Sequence, residues 1–197
     1  VKLTINPNVV VKFNTTDAVN LGVSLTKIEF ILLANAVVVS NAGTVTFTSN
    51  AGTPAKDDWY GIISNSGDTI NNLIIEYAAN GAEFKNGGNL LNSKIRNNTT
   101  GVLITGANFI ANNCDIIGNN TGVKIQGSSL SPRLNNSNIY NNSVYNIDNG
   151  VNNGVVDATN NWWNTTNTAT IDASIYDVND NAQSGRVNFL PIRNYLV

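Results

Sequence analysis

The sequence predicts an all-β fold, a right-handed single-stranded parallel β-helix of about 20 residues per coil. Three observations predict it. Segments opening on glycine and running into apolar residues (GIIS at Gly61, GAEF at Gly81, GVLI at Gly101, GVKI at Gly122) are spaced 20, 20 and 21 residues apart. A second marker, led by Asn72, Asn92, Asn113 and Asn136, keeps nearly the same period. Asparagine makes up about one residue in five, far above ordinary globular usage.

A period near 20 is too short for helical repeats, and the leucine-rich signature is absent. Short alternating segments between Gly and Asn turns read as strands. About three such strands per period stack each coil on the one before at roughly 4.8 Å. The whole chain, 1–197, reads as one domain. Residues 1–58 are strand-rich without the clean repeat ("LTINPNVVVKF", "AVNLGVSL", "KIEFILL", "TVTFTSN") and are expected to form irregular coils and a cap. A solenoid must cover its terminal apolar rung. Residues 59–154 carry the regular repeats, with "SSLSPR" (128–133) as an insertion that stretches the last interval to 23 residues. Residues 155–197 read as a C-terminal cap in which Trp162 and Trp163 close the core.

Stacking turns the repeat into columns. Leu73, Ser93, Cys114 and Ser137 align as inward positions, and Ile75, Ile95, Ile116 and Ile139 as a continuous aliphatic stack. Asn72, Asn92, Asn113 and Asn136 are expected to form an amide ladder at a corner, since Asn tolerates the left-handed conformation of a sharp bend. The pairs Asn97–Asn98, Asn119–Asn120 and Asn141–Asn142 are expected to do the same at the next corner.

Composition limits the chemistry. The net charge is -2 and only 12% of residues are charged, too little positive charge for nucleic-acid binding. Histidine is absent, which excludes Ser-His-Asp and Cys-His sites. The lone Cys114 falls in an inward column and reads as a buried, inert thiol. The longest apolar stretch, 28–39, is interrupted by Glu29 and Asn35 and is too short to span a membrane. The chain opens at Val1 without a leader, as expected of a mature or excised segment.

No pair of acids is placed for catalysis, so no catalytic residue is assigned. Asp115 aligns over Lys94 and Arg96 over Glu76, the pattern of cross-rung ion pairs. No cofactor is implied; a weak calcium candidate, Asp177, Asn179 and Asn181, lacks the glycine and the bidentate glutamate of an EF-hand loop. Acceptor sequons begin at Asn14, Asn97, Asn98, Asn119, Asn135, Asn141 and Asn164.

The blocks "LTINPNVVVKF", "FTSN…DDWYGI", "IIEYAANG", "NSKIRNNTTG", "DATNNWWN" and "IYDVNDNAQSGRVNFLP" resemble the right-handed parallel β-helix repeat domains of prokaryotic, chiefly archaeal, adhesin-like and S-layer-associated surface proteins. The chain departs from that pattern at Asn8 and Asn164, where glycine is expected. The resemblance implies an extracellular, cell-surface structural or adhesin-like module, a glycoprotein without a catalytic site. Its expected partners are surface glycans, cell-wall components or neighbouring copies and domains. The rival reading is a polysaccharide lyase or glycoside hydrolase on the same solenoid, since fold alone does not decide function.

Overall fold

A computed structural model describes residues 1–40 and 42–196. Among them, strands form three sheets of eight, six and seven strands, and every strand pairing is parallel. The chain is a parallel β-helix. One coil shows the plan: Gly88–Leu91 lies in the first sheet, Lys94–Arg96 in the second and Thr100–Ile104 in the third, before Phe109–Asn112 returns to the first.

Each coil turns twice on left-handed residues. Asn72, Asn92, Asn113 and Asn136 (φ 48 to 59) bend the chain from the first sheet into the second. Tyr77, Asn97, Gly118 and Asn141 (φ 55 to 70) bend it into the third. Asn adopts this conformation at modest cost because its short polar side chain bonds locally. Asn8 and Asn164, at φ 64 and 60, do the work of the glycines expected there.

The register stacks Ile75, Ile95, Ile116 and Ile139 in one column, extended beneath by Phe47 and Val11. The four isoleucines are fully buried. Leu73, Ser93, Cys114 and Ser137 are buried beside them, and the polar members cap strand ends. Ser93 Oγ donates to Leu91 O (2.7 Å), Cys114 Sγ to Asn112 O (3.3 Å) and Ser137 Oγ to Asn135 O (2.9 Å). Burial pushes the Cys114 thiol up to about 12.

The N-terminal region is more regular than its sequence suggests. Lys2–Ile5, Val10–Phe13 and Glu29–Leu32 make a first coil in register with the second. The irregularity lies in two excursions, 14–28 and 50–60. The second brings Trp59 to stack on Phe13, with ring centroids 4.1 Å apart. The first turns outward instead of folding beneath the rung, and Val19 and Leu21 stay 70% exposed. Leu3, paired with fully buried Val38, remains 43% exposed, whereas Phe13 and Leu32 of the same coil are buried.

The C-terminal end is closed. A short helix, Thr168–Asp172, is started by Asn167, whose side chain accepts from the backbone N–H groups of Ala169 and Thr170. It lays Ile171 over the last coil beside Ile175, Val187 and Trp163, all nearly inaccessible. Trp163 packs edge-on against Phe189 at 6.3 Å. Trp162 does not join the core: it continues the second sheet through a bridge to Asn138 and is half-buried.

Candidate functional site

The polar side chains of this molecule are organised in columns along the solenoid axis. The most continuous runs at the corner between the second and third sheets. Asn98 Nδ2 donates to Asn119 Oδ1 (3.1 Å), Asn119 Nδ2 to Asn142 Oδ1 (3.0 Å) and Asn142 Nδ2 to Asn146 Oδ1 (2.9 Å). Asn146 Nδ2 closes the run on Ser174 Oγ at 2.9 Å. The same amides also serve the backbone. Asn119 Nδ2 reaches Ile95 O and Ile117 O, while its Oδ1 accepts from the Asn98 N–H. Asn98 and Asn119 have no exposed surface.

This ladder also fixes three of the repeat's glycines. A Cβ on Gly81, Gly101 or Gly122 would lie 2.9, 2.9 and 2.7 Å from the Nδ2 of Asn98, Asn119 and Asn142. It would also lie 2.5 to 2.6 Å from the carbonyl oxygen of the next coil. The glycines are therefore a steric requirement of the asparagines. In the sixth coil Asn146 stands where the preceding coil has Gly122, and the amide run passes through it.

The other corner differs from expectation. Asn113 Nδ2 donates to Asn92 Oδ1 (2.6 Å), but Asn92 donates to Asn71 Oδ1 (2.9 Å) and Asn136 to Asn112 Oδ1 (3.4 Å). Asn72 is not a rung of this column. The bonds slip by one residue because these side chains point outward, where no wall holds them in register.

The outer faces carry cross-rung ion pairs. Lys94 meets Asp115 at 3.0 Å and Arg96 meets Glu76 at 2.8 Å, as the column alignment predicts. Lys124–Asp148 (3.4 Å) and Arg133–Asp157 (3.9 Å) add two that the repeat markers did not expose. Burial alone would raise the Asp157 carboxyl, but hydrogen bonds from Thr159 and Asn135 and the nearby Arg133 charge outweigh it and hold the group below its usual range. Glu83 is nearly buried and accepts from Tyr60 Oη at 2.9 Å. Burial, reinforced by this partner, pushes the Tyr60 hydroxyl up to about 12.

The calcium candidate is a self-bonded turn. Asp177 is buried, its Oδ1 accepts from Asn179 N (2.9 Å) and its Oδ2 from Val187 N (2.8 Å). Asn179 Nδ2 is held by Asp172, and Asn181 Oδ1 accepts from Gln183 N. Both carboxylate oxygens that would face a cation already hold the backbone. Among the described residues no cluster of three His, Cys, Asp or Glu side chains is placed to hold a metal.

The sequons divide by burial. Asn98 and Asn119 are sealed in the ladder and are not acceptors in the folded chain. Asn135 is partly buried and its Nδ2 is engaged by Asp157 and Thr159. Asn14, Asn141 and Asn164 are exposed and Asn97 is half-exposed. No helix among the described residues is long and apolar enough to cross a membrane.

Sequence reasoning missed Trp163 as a polar group. Its Nε1 is the one buried side-chain nitrogen or oxygen, among the described residues, without a hydrogen-bond partner. Nothing local signals this, since the orphaned N–H arises from packing among distant coils. No family model, curated protein or solved structure matches the chain.

Proposed function

We propose that this chain is a non-enzymatic structural or adhesin-like module of an extracellular cell-surface protein, of the kind found in archaeal S-layer-associated proteins. One observation carries the reading. Each of the 13 Asp and Glu side chains is engaged by a partner within the chain. A hydrolase or lyase needs acids free to exchange protons with a sugar. Here the acids hold loops, cap strand ends or pair with bases on adjacent rungs. The amide columns point the same way: the unusual composition is spent on linking coil to coil.

Long parallel faces of neutral amides suit weak, multivalent contact with surface glycans, cell-wall components or neighbouring domains. Exposed Asn14, Asn141 and Asn164 are the glycan acceptors this reading favours. The test is a panel of neutral and acidic polysaccharides screened for both retention and release of reducing or unsaturated ends. Retention without release is the expected result. Release of products from any polymer would replace this reading with the enzymatic one, and neither retention nor release would leave a spacer role.

A further inference from the structure

We infer that a cleft at the last rung of the first sheet binds a carboxylate-bearing sugar through Arg186. The cleft holds about 590 Å³, within the roughly 300–1,000 Å³ usual for small-ligand sites. Arg133, Asp157 and Asn188 stand on successive rungs of that sheet. Asp157, Arg186, Asn188, Phe189 and Leu190 line the cleft where the sheet ends.

The arginine singles this cleft out. Arg96 and Arg133 face carboxylates on neighbouring rungs, and Arg193 donates to Asn136. Arg186 is exposed, and among the described residues its guanidinium meets no acceptor. The acid in the same lining does not compete for it. Asp157 Oδ1 accepts from Asn135 Nδ2 and from the Thr159 N–H and hydroxyl, and its Oδ2 faces Arg133. Asp177, which accepts from the Val187 N–H, is buried and also held by Asn179 N. An unpaired guanidinium presents a planar fork of donors that fits a carboxylate through two parallel hydrogen bonds.

The rest of the lining narrows the ligand. Asn188 is exposed and its side-chain amide is unengaged, so it offers a donor and an acceptor to hydroxyl groups. Leu190 is 56% exposed and Phe189 half-buried, an apolar surface for the C–H face of a ring. A bare inorganic anion uses none of that surface. A ligand that carries a planar anion, hydroxyls and a C–H face is a sugar acid.

The site rests on the adhesive reading for its choice of a sugar over other carboxylates. Its test is titration of the whole chain with glucuronate, glucose, acetate and inorganic phosphate. The backbone N–H signals of Arg186 to Leu190, apart from buried Ile95 and Ile116 as controls, are followed in nitrogen–proton correlation spectra. Glucuronate is expected to shift the cleft signals saturably, with a dissociation constant on the order of millimolar, and the other three to bind at least about tenfold more weakly. Arg186→Gln, an exposed change, should weaken glucuronate about tenfold while the control signals stay in place. Cleft signals unmoved by glucuronate, or moved equally in Arg186→Gln, overturn the site. Acetate or phosphate binding as tightly as glucuronate overturns the assignment to a sugar. Both results leave polysaccharide retention, and with it the adhesive reading, standing. Release of products from a polymer strikes that reading alone, because binding at Arg186 is read without turnover.

Discussion

Two asparagine columns run along the middle coils of the same solenoid, with the same residue and the same period, and they do different work. At the corner between the second and third sheets, Asn98, Asn119 and Asn142 point inward and join end to end. At the corner between the first and second sheets, Asn92, Asn113 and Asn136 bend the chain, and their amides bond with a slipping register. The difference is burial. Inside, an unpaired amide or carbonyl has no water to turn to, so each bond must be made. Outside, water competes and the ladder is loose.

The largest test of that contrast is Asn119→Leu. It removes the partners of Ile95 O, Ile117 O and the Asn98 N–H together. At about 1–3 kcal/mol for each buried group left unpaired, urea unfolding should show a loss of about 3–5 kcal/mol. Asn113→Ala, on the exposed column, should lose about 1–2 kcal/mol, chiefly for the left-handed backbone; Asn113→Gly should be nearly neutral in the same assay. Equal losses at Asn119→Leu and Asn113→Ala would erase the distinction between the columns.

Gly101→Ala tests the steric partnership between markers. A methyl group 2.5 Å from Gly122 O and 2.9 Å from Asn119 Nδ2 must displace the ladder, and overpacking of this kind costs about 1–3 kcal/mol. The variant's melting temperature should fall accordingly, and pairing it with Asn119→Leu should give less than the sum of the two losses.

A double-mutant cycle on Glu76 and Arg96 should return less than about 1 kcal/mol, because the arginine is substantially exposed. Raising salt should shrink even that. The smallest effect is expected for Cys114→Ser, within about 1 kcal/mol, since serines at 93 and 137 already occupy the same column with the same backbone bonds. The raised thiol should also resist iodoacetamide at pH 8 until the chain unfolds. Rapid labelling of the folded chain would contradict its burial.

The two ends of the molecule make a second contrast. Trp163, Ile171 and Val187 are buried at the last coil, whereas at the first coil Leu3 stays 43% exposed although Phe13 and Leu32 are buried. The aromatic block at 162–163 marks the closed end in the sequence, although only one of the two rings is buried. Strands at 2–5 and 10–13 were legible as apolar alternation. That the segment between Phe13 and Glu29 turns away from the core was not, because its Val19, Leu21, Val23 and Leu25 alternate as a covered strand would.

Periodicity alone determined the parallel solenoid, the isoleucine column and the ion pairs at Lys94–Asp115 and Arg96–Glu76, because stacking at a fixed repeat forces residues about 20 apart into contact. Tertiary structure alone decided which asparagine of each pair faces inward, which sequons are sealed, and that the Trp163 N–H is left without a partner. A neighbour along the axis follows from counting residues; exposure depends on how the walls, excursions and cap close around each side chain, and no local stretch of sequence contains that information.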